Sequence, residues 1–537
     1  MQKKLIFVLG GVYLFSGLLF GQQPAERRSC EELKRSVVPG LIVSSAEEVA
    51  GGTRLGGSGP VLPAHCVLRG EANKHTGADG KSYGDIFELR MPDDWNGRLL
   101  FQGGGGLDGI VQPAIGASGS FERPALSRGY AVVSTDGGHE ADPKAPQDMG
   151  SFGADPQALA DYQYLSTKTV TDAAKALLVK HYGEQPKHSY FRGCSNGGRE
   201  GLMAVQRYPE YFDGVIAGAP AFRLTRAMIA EAWNTMQYSA AAPHDAQGKP
   251  ELRKAYSDSD LQLVSHAVLA KCDALDGVKD DLISNPEACH FDPAELQCTG
   301  EKTDACLSAA QVTALKKAMA GPLDSQGKAL YSTWPYDSGI SGEGWRAWIL
   351  GSEKMPAINT LIFPPAINQM ALAGKQPPID IFHFDFDRDA TRLEKAAAAS
   401  LNADATNLDA FRKRGGKLIL YTGMSDPVFS ANDLIHYYRD VMQTSGGEKP
   451  TFEFARLFLL PGVNHCGGGP GLDSFDSLTA IEKWVEDDDA PAHMIAKGSA
   501  FPGRTRPMCP YPLTPIYNGW GNPENAASFA CGKVNVK

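Results

Sequence analysis

The sequence predicts an α/β fold, a parallel sheet with helices on both faces, interrupted by one large insertion. Three observations carry this. Short apolar runs at residues 130–135, 189–192, 214–218, 417–421 and 455–460 read as strands, and helical spacing at 167–182, 431–442 and 478–485 separates several of them. Gly193-Cys194-Ser195-Asn196-Gly197-Gly198 joins one of those strands to a helix through a turn made almost wholly of small residues. From about residue 222 to 404 the alternation stops, and that stretch holds four of the ten cysteines.

The chain of 537 residues exceeds what one core fills. It divides into residues 26–221, the first part of the core; 222–404, an inserted lid domain; and 405–537, the second part. Residues 1–25 read as a removable signal: Lys3 and Lys4 lead an apolar run over 5–20, and the small Gly21 follows. The run is short for a membrane span, so a secreted or periplasmic chain without stable membrane insertion is expected. Export suits an even number of cysteines, which implies disulfides. Cys272–Cys289, Cys298–Cys306 and Cys509–Cys531 would close short loops, but connectivity stays open at this point. There is no Cys-x-x-Cys, hence no support for a zinc ribbon or a thioredoxin-like site. A net charge of −10 with scattered basic residues argues against nucleic acid.

In chain order, Ser29 and Glu32 have the spacing of a capping box that opens a short helix. Cys66 falls in a Pro/His turn and could tie down this N-terminal piece. Residues 86–91 (Ile-Phe-Glu-Leu-Arg-Met) and 98–102 read as the two strands of a hairpin. Gly103 to Gly106 follow. Four glycines after a strand leave backbone N–H groups uncovered, which suits an oxyanion hole, a phosphate cradle or simply a pliant loop. No Gly-Lys-Ser/Thr follows, which weakens the phosphate reading. His139 lies just past the strand at 130–135 and reads as a structural loop histidine.

The turn at Ser195 gives the chain its chemistry. Strand, Gly-x-Ser-x-Gly and helix form a nucleophile elbow, which lifts the serine hydroxyl above the sheet. A serine hydroxyl needs a base to take its proton, and the base needs a carboxylate to hold its tautomer. In α/β-hydrolases these follow in the order serine, acid, histidine, each on a loop after a strand. Asp426, after the strand at 417–421, and His465, after that at 455–460, meet the order. Cys194 precedes the serine and Cys466 follows the histidine, so a disulfide between them would clamp the two loops. The N–H of Asn196 and one from the glycine run, Gly106, would hold an oxyanion.

The chain resembles the tannase/feruloyl esterase family of α/β-hydrolases, which includes mono(2-hydroxyethyl) terephthalate hydrolases. The resemblance rests on residues 193–201, Ser425-Asp426, Asn464-His465-Cys466-Gly467-Gly468-Gly469-Pro470 and Thr505-Arg506-Pro507-Met508-Cys509-Pro510-Tyr511-Pro512. It covers nearly the whole mature chain. It implies the triad Ser195, Asp426 and His465, and the disulfides Cys194–Cys466, Cys30–Cys66, Cys272–Cys289, Cys298–Cys306 and Cys509–Cys531. It also implies a structural Ca²⁺ in the lid, held by the carboxylates of Asp273, Asp276 and Asp280 and the carbonyls of Val278 and Leu282, and no organic cofactor. By spacing alone that loop would read as a solvated acidic turn.

The expected substrate is a small ester of a hydroxybenzoic or hydroxycinnamic acid, with Trp348 packing on its ring, as the resemblance implies. Hydrolysis of a terephthalate monoester is the alternative. Those relatives hold the free carboxylate with a lid arginine, whereas residues 349–363 here contain no arginine and Lys354 is their only cation. From another class, a silent binding protein on a hydrolase scaffold is the rival reading.

Overall fold

The computed structural model describes residues 29–35, 38–117 and 123–533. The signal expected over 1–25 lies outside them. The described chain builds a nine-stranded sheet in the order β1 (Leu41–Val49), β2 (His65–Thr76), β3 (Ser82–Pro92), β5 (Ala131–Thr135), β4 (Arg98–Gln102), β6 (His188–Cys194), β7 (Gly214–Gly218), β8 (Lys417–Gly423), β9 (Ala455–Leu460). The pairs β1/β2, β2/β3 and β3/β5 are antiparallel, and every pair from β5 to β9 is parallel. This is the architecture of an α/β-hydrolase core.

The parallel strands are buried on both faces because their side chains alternate between two apolar layers. Leu99, Phe101, Phe191, Val215 and Leu418 point to one layer, packed by the helices Ser166–Tyr182, Asn196–Arg207 and Ala431–Thr444. Leu100, Tyr190, Ile216 and Ile419 point to the other, closed by Ile481 and Trp484 of the helix Ser477–Asp487. The capping box at Ser29 forms as expected.

Two expectations fail. The strands at 86–91 and 98–102 do not make a hairpin. β5 lies between them, antiparallel to β3 and parallel to β4. Every residue of β5 is buried, and a wholly buried strand needs hydrogen-bonding neighbours on both edges. Cys66 is not in a turn but is the second residue of β2. β1 was not legible, because its apolar start and polar end (Leu-Ile-Val-Ser-Ser-Ala-Glu-Glu-Val) lack clean alternation and only one of its residues is buried.

Between β7 and β8 the chain leaves the sheet. It runs through the helices Leu224–Ala241, Asp258–Cys272, Ala309–Ala320, Glu343–Ile349, Ile358–Pro365 and Arg388–Leu401 and adds no strand to the sheet. Among the described residues no helix is long and apolar enough to cross a membrane. All ten cysteines are paired: Cys30–Cys66, Cys194–Cys466, Cys272–Cys289, Cys298–Cys306 and Cys509–Cys531.

Candidate active site

β6 ends at Cys194, and Ser195 turns the chain into the helix Asn196–Arg207 with φ 63° and ψ −124°. A non-glycine residue held there is strained, and the surroundings must over-determine it. They do so by close packing. A Cβ at Gly193 would meet the Gly197 carbonyl at 2.5 Å, one at Gly197 the Gly104 oxygen at 2.6 Å, and one at Gly198 the Gly218 oxygen at 2.5 Å. Ser195 N–H donates to the Gly218 carbonyl, and the Ser195 carbonyl accepts from Arg199 and Ala221.

His465 follows β9. Its Nδ1 lies 2.8 Å from Asp426 Oδ2, in the turn after β8. Asp426 Oδ1 accepts from the N–H groups of Val428 and Phe429, so both carboxylate oxygens are engaged. With Nδ1 donating to a carboxylate, Nε2 is the nitrogen left to act as a base. The Cys194–Cys466 bond brings the neighbours of Ser195 and His465 to a Cα–Cα distance of 6.0 Å across 272 residues of sequence. Cys466 also has positive φ, 61°, so both ends of this bridge lie at strained turns. The structure thus brings the Ser195, Asp426 and His465 loops together at one edge of the sheet, where parallel α/β sheets carry their sites.

Trp348, on the helix Glu343–Ile349, meets the His465 ring edge-on at 5.4 Å between centroids. Phe429 approaches the same ring at 5.3 Å. The two aromatics flank the imidazole and give the site an apolar wall. Lys354 is exposed, in the turn between the helices Glu343–Ile349 and Ile358–Pro365.

The glycine run lies against the start of the elbow helix. Gly103 N–H donates to the Arg192 carbonyl and Gly104 N–H to Glu200 Oε2. Gly106 has φ 61°, and a Cβ there would meet nothing within 4 Å, so open space faces it. Asn196 is the first residue of its helix, where N–H groups lack intrahelical partners and carry the positive end of the dipole. His139 is buried and stacks on Phe152 at 3.7 Å, and burial pushes its pKa down to about 3, in keeping with a structural neutral imidazole.

Sequence reasoning missed two residues that hold these loops. Asp337, fully buried, accepts from Ser425 Oγ at 2.6 Å and from Gly462 N–H at 2.6 Å, so one carboxylate spans the loops of Asp426 and His465. Asn464, beside His465, donates through Nδ2 to the Gly339 and Ser425 carbonyls. Its Oδ1 accepts from Trp345 N–H, the third helical residue of Glu343–Ile349. Gly342 provides no side-chain cap, so Asn464 caps that helix from outside, one turn before Trp348. Asp337 carried no signal in its local sequence, and Asn464 was visible only as a neighbour of the histidine.

The acidic loop lies apart from this face in sequence. Asp273 accepts N–H bonds from Asp280 and Asp281, Asp276 from Val278, and Asp280 from Leu282. Asp280 Oδ2 also pairs with the buried Arg506 guanidinium. Among the described residues Asp276 Oδ2 is buried with no hydrogen-bond partner, and burial together with the Asp280 charge pushes the Asp276 carboxyl up to about 7. Hard oxygens, mutual repulsion and an orphaned carboxylate oxygen fit a divalent cation such as Ca²⁺. Among the described residues, no three His, Cys, Asp or Glu side chains already converge as a metal-ready group, so a cation would also need the loop carbonyls.

Fold and site together define an esterase of the α/β-hydrolase type. Residues 71–532 match the family described as tannase and feruloyl esterase, and the chain belongs to that family. It is 42% identical to a mono(2-hydroxyethyl) terephthalate hydrolase of Piscinibacter sakaiensis, over 94% of this chain and 92% of the relative. A probable feruloyl esterase of Arthroderma benhamiae is 30% identical over 86% of this chain and 84% of its own. Among solved structures, an esterase from Aspergillus oryzae superposes with a TM-score of 0.79 at 26% identity, covering 94% of this chain and 99% of that one.

Proposed function

We propose that the chain is a secreted serine carboxylesterase acting on small esters of aromatic acids. Ser195 Oγ attacks the ester carbonyl while His465 Nε2 takes its proton, and Asp426 holds the imidazole and stabilises its charged form. The N–H groups of Asn196 and Gly106 face the developing oxyanion. His465 then protonates the leaving alcohol, and water, activated by the same imidazole, releases the acid from Ser195. Trp348 supports the acyl ring, and the helical insertion 222–404 serves as a lid over it. The observation that supports this most is the strained Ser195 turn, joined through Cys194–Cys466 to a histidine already paired with a buried aspartate.

A second reading within the class is hydrolysis of a terephthalate monoester, favoured by the 42% identity to the Piscinibacter sakaiensis enzyme. The lack of arginine over 349–363 weighs the other way. We also propose Ca²⁺ as a structural ion of the acidic loop, held by Asp273, Asp276 and Asp280 with the carbonyls of Val278 and Leu282. Where bound, it would neutralise a cluster of negative charge and take no part in the ester chemistry.

The test is hydrolysis of methyl gallate, methyl ferulate and mono(2-hydroxyethyl) terephthalate by the purified chain, with Ser195→Ala as control. Turnover that falls about 10⁴-fold or more in the variant is expected. Preference for the hydroxylated esters supports the first reading, and preference for the terephthalate monoester the second. Turnover that persists in Ser195→Ala rejects the nucleophile. No turnover of any ester favours a binding protein on this scaffold.

A further inference from the structure

Behind the proposed oxyanion donors lies a buried polar group that the ester chemistry does not use. Asn196 is its hub. The Asn196 Nδ2 donates to Asp108 Oδ1 at 2.7 Å and to Glu200 Oε1 at 3.1 Å. Its Oδ1 accepts from Arg199 Nε at 2.7 Å and from the Tyr162 hydroxyl at 3.2 Å. All four hydrogen-bonding positions of the amide are therefore filled, and its orientation is fixed: flipped, it would face two carboxylates with an oxygen and a guanidinium with an NH₂. Glu200 Oε2 accepts from Gly104 N–H, so one carboxylate holds both the elbow residue Asn196 and the glycine run.

The charge balance of this group is unusual. Arg199 is the cation closest to hand, but its Nε is spent on Asn196 and its two terminal nitrogens donate to the Gln163 and Tyr162 carbonyls. It touches neither carboxyl directly. Asp108 Oδ2 is buried with no conventional donor. It lies against the Cα atoms of Gly104 and Gly137, since a Cβ at either would meet it at 2.6 or 2.7 Å. Tyr162 completes the wall with its hydroxyl turned to Asn196 and Gly106. Two carboxyls that share one amide donor, largely out of water and with no direct cation among the described residues, do not both ionise. Glu200 has N–H donors on both oxygens and Asp108 on only one, so Glu200 is the better-stabilised anion.

We propose that Asp108 and Glu200 share one proton, held on Asp108, and that this pair is a positioning device that keeps Asn196 and the Gly103–Gly106 turn in register as oxyanion donors. This rests on the ester-hydrolysis reading above. Asp108 and Glu200 act through backbone and amide groups and do not touch the substrate. Burial, then the Glu200 charge, hold the Asp108 carboxyl well above the usual carboxylate range, and the Arg199 charge opposes this without cancelling it.

The proposal makes the two acids respond differently to the same chemical change. Asp108→Asn copies the protonated acid, with an NH₂ toward Glu200 and an oxygen toward Asn196. Glu200→Gln instead turns an NH₂ against a donor, either Gly104 N–H or Asn196 Nδ2. Asp108→Asn is expected to keep kcat within about threefold of wild type, while Asp108→Ala and Glu200→Gln lower kcat about 10²-fold with KM little changed. Wild-type kcat should fall at alkaline pH as the pair loses its proton, and Asp108→Asn should remove that limb. Infrared difference spectroscopy of wild type minus Asp108→Asn reads the same proton without any turnover: a protonated carboxyl band at pH 7 in that difference is expected, the bands of the other buried carboxyls cancelling. Equal effects of Asp108→Asn and Asp108→Ala, an alkaline limb unchanged in Asp108→Asn, or no protonated carboxyl band in the difference spectrum would overturn the proposal. A chain without Ser195-dependent ester hydrolysis would instead overturn the functional reading, and the infrared band would still decide the pair.

Discussion

The carboxylates of the sheet and its loops near Asp108 and those of the loop 273–282 are largely buried, yet their surroundings balance the charge differently. Asp108 lies behind the turn, against Asn196, while Asp85 on β3 and Asp136 after β5 lie further along the sheet, and desolvation raises the pKa of each. On the proposal above, protons would serve as the counterions there, and the groups come from segments far apart in sequence. In the loop, Asp273, Asp276 and Asp280 come from one short segment and rely on their own backbone N–H groups and one guanidinium, with an oxygen left over. A proton suits a site that must stay geometrically exact and neutral. A divalent cation would suit a short segment that gathers three carboxylates with one oxygen left unpaired.

The braces differ in the same sense, and the largest expected effect tests this. Cys194–Cys466 closes 272 residues and Cys272–Cys289 closes 17. By loop-closure entropy the first contributes about 5–6 kcal/mol and the second about 3 kcal/mol, both upper figures because other cross-links remain. Paired Cys→Ser replacement at 194 and 466 should lower the urea midpoint most and also reduce kcat, whereas replacement at 272 and 289 should lower the midpoint less and spare kcat. Equal losses of activity would break the comparison.

Next in size is the proposed Ca²⁺. Calcium at about 100-fold over its Kd stabilises by about 2.7 kcal/mol. Thermal melts of wild type should rise by a few degrees with calcium and fall with a chelator, and Asp276→Ala should abolish the response while Asp108→Asn keeps it. A wild-type melt indifferent to both additions rejects the ion.

The proton-held group gives a pH signature. The carboxyls of Asp85 and Asp136 are pushed up to about 8 and that of Asp161 to about 6, all chiefly by burial. A folded pKa above the unfolded one means that the native state binds the extra proton, so the stability contribution is full below about pH 4 and is lost as pH rises towards 8. Melting temperatures across this range should show that decline, and Asp85→Asn should flatten it. A decline of the same slope in the variant would sever the assignment.

The smallest effect concerns the contact between the faces. Asn464→Ala removes the outside cap of the helix Glu343–Ile349 and lets Trp348 drift from His465. A rise in KM of several-fold with a smaller fall in kcat is expected, with about 1 kcal/mol lost in stability. An unchanged KM would mean that Trp348 is placed by its own packing.

The chain's local signals were strong where backbone geometry is demanding. Gly193, Gly197 and Gly198 announce a turn that admits no side chain, and the structure has backbone atoms at 2.5–2.6 Å from each missing Cβ. The strands at 98–102, 214–218 and 455–460 were legible to the residue, since an apolar run bounded by turn residues has few other ways to be buried. Asp426 and His465 could be found because each follows such a strand.

Glycine spacing and apolar period act over a few residues, so they were enough to place most elements and the turns that carry Ser195, Asp426 and His465. Long-range packing alone set β5 between β3 and β4, Asp337 across two loops, Asn464 as the cap of a helix 119 residues earlier in the chain, and Asp108 against Asn196 across 88 residues. Strand order and buried polar pairing follow from which groups must be shielded together, and that is settled by the packing of the whole chain.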